Sequence, residues 1–268
     1  MDGLSDRVTE YFARPDAATQ WWKITTETKG RYGRQLAFLS KHVALSGIRV
    51  LDVATGQGRF AIHAARSGAA KVVAVDISSA MIGQAREHAK RHGVENAIDF
   101  LTGNAADLKL AGESFDLITF MEVLVHVPRP ASILANLSRL LAPDGCLLTN
   151  FDFPAAQDIT YPIDWLHSLM RGVLKGKGAG DLIMHETVDQ AIAKLREGAD
   201  TQRVIMRPRD AYRGLASTDV YDWIRGAGLR VHVHKKEYPR VLGRVPIPTP
   251  IGMILLCQKC EGFEEGKK

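Results

Sequence analysis

The 268-residue sequence predicts an α/β fold built on an open, doubly wound, mostly parallel sheet. Three observations predict it. Short β-branched runs alternate with longer helical patterns between residues 47 and 153, a glycine turn follows the first run, and the second run ends in an acidic residue 20 positions beyond Gly56. Strict alternation of strand and helix gives parallel neighbours joined by right-handed crossovers. A ligand of such a sheet sits outside the carboxyl ends of the strands, near the switch point.

The elements follow in order. Residues 1–46 read as an N-terminal helical cap carrying Tyr11, Phe12, Trp21, Trp22 and Tyr32. Ile48 to Val53 is a buried strand, and after Gly56 and Gly58 a helix runs from Arg59 to Ser67. Lys71 to Asp76 is the second strand; Ser78 then opens a helix reaching about Arg91, with Ser or Asp as its cap, since either side chain accepts from the free N–H groups of a first turn. Ile98–Leu101, Phe115–Met121 and Cys146–Phe151 are the next three strands. Residues 154–213 break the pattern with Pro154, Pro162, Pro208 and the loop-like K-G-K-G-A-G, and are expected to form an inserted lid. A helix at Asp219–Ala227 and strands at Arg230–Lys236 and Ile251–Cys257 complete a domain spanning 47–260, and 261–268 reads as a frayed tail.

Composition excludes several classes. Hydrophobic residues at 46% and charged residues at 24% are those of a globular chain. No run of about 18 apolar residues offers a membrane-spanning helix, and the start M-D-G-L-S-D-R has no apolar signal core. Three cysteines are too few for a disulfide framework and fit a reducing cytoplasm. A net charge of +5 is too small to indicate a nucleic-acid partner by itself, and oligomeric state is left open.

The segment V-L-D-V-A-T-G-Q-G-R-F, from Val50 to Phe60, carries the clearest site. Gly56 and Gly58 let the backbone approach a ligand closely, and an acid at Asp76 can accept from both hydroxyls of a ribose. Together they indicate an adenosine cofactor. Gly56, Gly58 and Ala61 also satisfy a loose dinucleotide pattern, so a nicotinamide enzyme is an alternative. Asp52 disfavours it, because a carboxylate beside a pyrophosphate is repelled, whereas one beside a cationic amino-acid end is not.

The ordered segments D-V-A-T-G-Q-G, V-V-A-V-D-I-S, G-N-A-A-D-L, S-F-D-L-I-T-F-M-E-V-L-V-H-V and L-L-A-P-D-G resemble class I S-adenosylmethionine-dependent methyltransferases of the small-molecule type, closely over about residues 45 to 153 and more loosely over 214 to 260. The resemblance implies a seven-stranded Rossmann-like sheet with an antiparallel last strand. It implies a cofactor site of Asp52, Ala54, Thr55, Gly56, Gln57, Gly58, Asp76, Ile77, Met81, Asn104, Ala105, Ala106 and Met121. In it Asp76 holds the ribose, the Gly56 turn packs under the methionine part, Asn104 and Ala105 border the adenine, and Met121 lies against the cofactor. Ala54 stands where the family often has Gly, and Asn104 where it often has Asp.

For the chemistry, His126 is the candidate base, because it follows the fourth strand and an imidazole titrates near neutral pH. Were the stretch helical, Glu122 would share a face with His126 at i, i+4 and support it. Related enzymes pair a second Glu with this His to bind a divalent ion; here that position is Val125, so no metal is expected, although Asp152, His167 or His185 could add ligands. Cys257-x-x-Cys260 lacks a partner pair for zinc. Trp21, Trp22, Tyr161, Trp165, Leu166, Leu169 and Met170 are candidates for an apolar lid, and Arg31 and Arg34 for contact with the cofactor's carboxylate or the substrate. The expected activity is methyl transfer to a small-molecule acceptor, foremost an oxygen of an apolar or aromatic compound. The alternatives are an RNA or protein methyltransferase and a non-catalytic binding module.

Overall fold

The computed structural model describes residues 10–11, 31–108, 110, 112–127, 129–153, 215–238, 240–241, 245–246 and 252–260. Helix α1 (Arg31–His42) precedes β1 (Arg49–Val53), α2 (Arg59–Arg66), β2 (Lys71–Asp76), α3 (Ser79–Arg91), β3 (Ile98–Thr102), β4 (Phe115–Phe120), α4 (Pro130–Arg139) and β5 (Leu141–Asp152). Then come α5 (Ser217–Gly226), β6 (Leu229–Glu237), a small hairpin of β7 (Arg240–Val241) and β8 (Val245–Pro246), and β9 (Gly252–Lys259). The main sheet has the order β3-β2-β1-β4-β5-β9-β6. Its β3-β2-β1-β4-β5 portion is parallel, and β9 runs antiparallel to both of its neighbours. The chain order reverses between β1 and β4, which is the switch point.

Each face of the sheet buries one cluster. Phe38 and Leu39 of α1, Phe60 and Ile62 of α2 and Ile82 and Ala85 of α3 cover Val50, Val72 and Ala74 on one side. Ile133, Leu134 and Leu137 of α4 and Val220 and Ile224 of α5 cover Leu51, Val53, Val73 and Val75 on the other. Successive strand residues supply opposite faces, so the continuous V-L-D-V and K-V-V-A-V runs are what a sheet covered on both sides requires.

Most expected boundaries fall within a residue or two of the observed ones. The exception is β5, expected to begin at Cys146 but beginning at Leu141. Its register against β4 jumps from Phe115↔Leu141 to Leu117↔Cys146, so A-P-D-G is accommodated as a bulge rather than as a turn before the strand. Of the two cap types expected, Ser78 caps α3, its hydroxyl accepting from the Met81 N–H at 3.4 Å. The chain departs after Phe153 and returns at Leu215, whose N–H donates to the Asp152 carbonyl at 2.8 Å, so the intervening segment is inserted at the carboxyl end of β5. That segment, with Tyr161, Trp165, Leu166, His167, Leu169, Met170 and His185, lies outside the described residues, as do Trp21, Trp22 and the tail 261–268.

Candidate active site

The turn after β1 is built around left-handed backbone. Ala54, Gly56 and Gly58 have φ of 56°, 54° and 80°. A side chain on Gly58 would meet Ala85 Cβ at 3.1 Å, so this glycine lets α3 pack on the turn, whereas nothing stands within 4 Å of the missing Cβ of Gly56. Asp52 fastens the turn from beneath. Its carboxylate accepts from Thr55 Oγ1 at 2.5 Å, Thr119 Oγ1 at 2.6 Å and the Ala61 N–H at 3.1 Å. Burial pushes the Asp52 carboxyl up to about 6, against the hydrogen bonds that pull it down. Only 2% of Asp52 is exposed, and its observed partners all belong to the protein itself: Thr55 in the turn, Ala61 in α2 and Thr119 in β4.

Asp76, at the end of β2, reaches across to this turn. One oxygen accepts from the Gly56 N–H at 2.8 Å and the other from the Ser78 N–H at 2.9 Å. Burial raises its carboxyl, and the N–H groups of Ser78, Gly56 and Ile77 oppose the rise. A carboxylate has about four acceptor sites, so each oxygen keeps capacity for a ribose hydroxyl. Close by, Gln57 donates to Gln84 Oε1 at 3.0 Å while its own Oε1 is buried and unpartnered. The open side of Gly56, the spare acceptor sites of Asp76 and this bare amide oxygen fit a ligand rich in N–H and O–H donors, as an adenosine with an amino-acid tail is.

Asn104 shapes the next wall. Its Oδ1 accepts from the Ala106 N–H at 2.9 Å and closes a single 3-10 turn over Ala105–Asp107. An amide oxygen has two lone pairs, so this bond is compatible with reading an adenine edge. Ile77 and Met81 are half-buried at the start of α3, and Met121 is buried just beyond β4.

The stretch after β4 differs from the helical possibility. Glu122 has a φ of 64°, and residues 124–126 form a turn closed by the His126 N–H on the Val123 carbonyl at 2.8 Å. The i, i+4 relation of a helix is therefore absent. Glu122 is held instead by Gln35 Nε2 and Asn150 Nδ2, both donating to Oε1 at 2.7 Å, with its own N–H donating to Asn150 Oδ1 at 2.6 Å. Arg31, a candidate for contact with the cofactor's carboxylate or the substrate, enters the same cluster. Its guanidinium lies 2.5 Å from Asp152, 2.6 Å from Glu237 and 3.3 Å from Glu122. Asp152, weighed above as a metal ligand, thus faces a cation of the chain itself. Among the described residues no group of three or more His, Cys, Asp or Glu is arranged to hold a metal ion.

Gln35, Asn150, Glu237 and Gly252 are site residues that the sequence reading missed. Asn150 and Asp152 end a strand, as Asp52 and Asp76 do, and T-N-F-D was a usable signal. Gln35 and Glu237 have no such signal, because what unites them is the docking of α1 over the end of β6.

The fold is that of class I methyltransferases. A family model described as a methyltransferase domain matches residues 44–194, and the chain belongs to that family, whose methyl donor is S-adenosylmethionine. A ubiquinone biosynthesis O-methyltransferase of Hahella chejuensis is 39% identical over 136 residues, covering 49% of this chain and 56% of the relative. The chain thus matches little more than half the length of such curated relatives. Among solved structures, magnesium protoporphyrin IX methyltransferase from Synechocystis PCC 6803, with bound SAH, superposes with a TM-score of 0.61 at 19% identity, covering 96% of this chain and 99% of that one. An S-adenosylmethionine-dependent methyltransferase from Mesorhizobium loti gives 0.56 at 17% identity over 85% and 97%. These two likenesses bear on the fold.

Proposed function

We propose that the protein methylates a hydroxyl oxygen of a small apolar or aromatic acceptor. The observation that carries this reading is the pairing, on one sheet edge, of the Asp76–glycine turn with the Glu122–His126 turn. The O-methyltransferase names of the curated relatives support an oxygen acceptor. When bound, S-adenosylmethionine supplies a methyl carbon activated by a sulfonium. The chain's own residues bind and align. Asp76 takes the ribose hydroxyls, Asn104, Ala105 and Ala106 border the adenine, Ile77, Met81 and Met121 line the apolar walls, and Ala54, Thr55, Gly56, Gln57 and Gly58 form the floor. Asp52 acts through the turn it fastens. His126 takes the acceptor's proton, and Glu122 orients the acceptor beside it. The catalytic domain runs from 47 to 260. Cys146, Cys257 and Cys260 are free thiols, which fits a cytoplasmic protein, and no described helix is long and apolar enough to cross a membrane.

The test is transfer of a labelled methyl group from S-adenosylmethionine into a fractionated cell extract. Label is expected in the small-molecule fraction at an unchanged rate with EDTA; label in RNA or protein would contradict the acceptor class. His126→Ala should lower turnover roughly 10²–10⁴-fold with S-adenosylhomocysteine affinity nearly unchanged, and a fully active variant would remove His126 from the mechanism.

A further inference from the structure

Three unfavourable features coincide at the carboxyl ends of β4, β5 and β6. Glu122 holds a left-handed backbone conformation that side chains other than glycine rarely adopt. Gln35 is fully buried on α1, and its Oε1 has no hydrogen-bond partner. Three carboxylates, Glu122, Asp152 and Glu237, face the single guanidinium of Arg31. An element selected for stability alone would put an apolar side chain in place of Gln35, since buried polar clusters are commonly matched or bettered by well-packed hydrophobes. Local costs that accumulate at one place mark a geometry kept for another reason.

The bonding shows what is kept. Asn150 brackets Glu122 with two reciprocal bonds, one to its backbone N–H and one to Oε1. Gln35 adds a second donor to Oε1 and also reaches Glu237 Oε1 at 3.2 Å. Oε2 is left to Arg31 at 3.3 Å, and Glu122 remains partly exposed. Arg31 is anchored in turn by Asp152 and Glu237, which flank Gly252 on either side in the β5-β9-β6 register. A Cβ on Gly252 would stand 2.5 Å from the Phe151 carbonyl oxygen and 2.6 Å from Asp152 Oδ1, so the glycine leaves room for both the β5 backbone and this carboxylate. Burial alone would lower the Arg31 pKa, yet Glu122, Asp152 and Glu237 raise it well above its ordinary value, so the anchor stays charged. Burial raises the Glu237 carboxyl, and Arg31 opposes that rise.

We propose that Arg31, Gln35 and Asn150 are positioning residues for the reaction: they fix Glu122 in its left-handed conformation, and with it the turn that carries His126, so that α1 forms part of the catalytic edge. The proposal rests on the methyl-transfer reading for its consequence in turnover, but not for its consequence in structure.

Two variants test it. Gln35→Met keeps length and apolar volume but loses both N–H donors. Arg31→Lys keeps the charge but loses the fork that spans the carboxylates. Amide hydrogen exchange should speed up at least tenfold in Met121–Val127 in both, with S-adenosylhomocysteine affinity by calorimetry within about twofold of wild type. With catechol as the acceptor probe, kcat should fall at least about tenfold while KM for the donor moves less than twofold. A purely structural role predicts instead a lower melting temperature with exchange in Met121–Val127 no faster than elsewhere, and that result overturns the proposal. So does wild-type exchange and kcat in either variant. If wild-type protein fails to bind S-adenosylhomocysteine, the methyl-transfer reading fails and the exchange measurement alone decides the network; should Gln35→Met not fold, Arg31→Lys decides it.

Discussion

Two acidic clusters at the carboxyl edge of the sheet are held by opposite means. At β1 and β2, Asp52 and Asp76 are satisfied by neutral donors, two hydroxyls and three backbone N–H groups. At β4, β5 and β6, Glu122, Asp152 and Glu237 are gathered by a guanidinium and two amide side chains, with Arg31 lying 206 residues from Glu237 in sequence. The first arrangement is complete once the β1-α2-β2 unit packs against β4. The second exists only when the N-terminal helix meets the last strands. The Asp52–Asp76 cluster is therefore a property of a local unit, and the Arg31 cluster a property of the assembled domain.

Breaking the local half should have the larger effect on stability. Asp52→Ala strands two buried hydroxyls and one backbone N–H, each costing about 1–3 kcal/mol, so the melting temperature should fall by roughly 10 °C. An unchanged melting temperature would show that the turn is held by something else. Asp52→Asn separates charge from bonding. In wild type the folded carboxyl titrates at about 6 against an ordinary 3.8, so between those pH values the folded state keeps a proton that the unfolded chain has released. Stability contributed by Asp52 is thus lost as pH rises from about 4 to 6 and is flat above. Thermal melts should show Asp52→Asn gaining on wild type across that window, and parallel curves would contradict the assignment.

The smallest effect concerns Ala54, whose φ of 56° suits glycine. Ala54→Gly relieves about 1–2 kcal/mol of left-handed strain but loosens the unfolded chain by about 0.4–1 kcal/mol. Denaturant titration should show a net gain of between zero and about 1.5 kcal/mol. A loss would mean that the methyl group makes packing contacts that outweigh the strain.

The same contrast explains what could be read beforehand. Strand-ending acids beside glycine turns are short-range signals, so Asp52, Gly56, Gly58 and Asp76 were legible, as were the strands whose apolar runs fill both faces of the sheet. For Asp52 the sequence suggests a place beside a cationic ligand end, and in the fold its carboxylate ties together Thr55, Ala61 and Thr119, the last on a strand 67 residues away. Gln35 and Glu237 look in sequence like ordinary polar surface residues, and only the docking of α1 brings them together. The start of β5 was misplaced because P-D-G reads as a turn, and only the pairing with β4 turns it into a bulge.

The central claim is that the Asp76–glycine turn is an adenosine site for S-adenosylmethionine. Isothermal calorimetry with S-adenosylhomocysteine and NAD, on wild type and Asp76→Ala, tests it directly. We expect wild type to bind S-adenosylhomocysteine and not NAD. The variant should lose charge-assisted hydrogen bonds of roughly 1.5–3 kcal/mol each, a weakening of at least about tenfold. NAD binding tighter than S-adenosylhomocysteine, or a variant within twofold of wild type, would contradict the account.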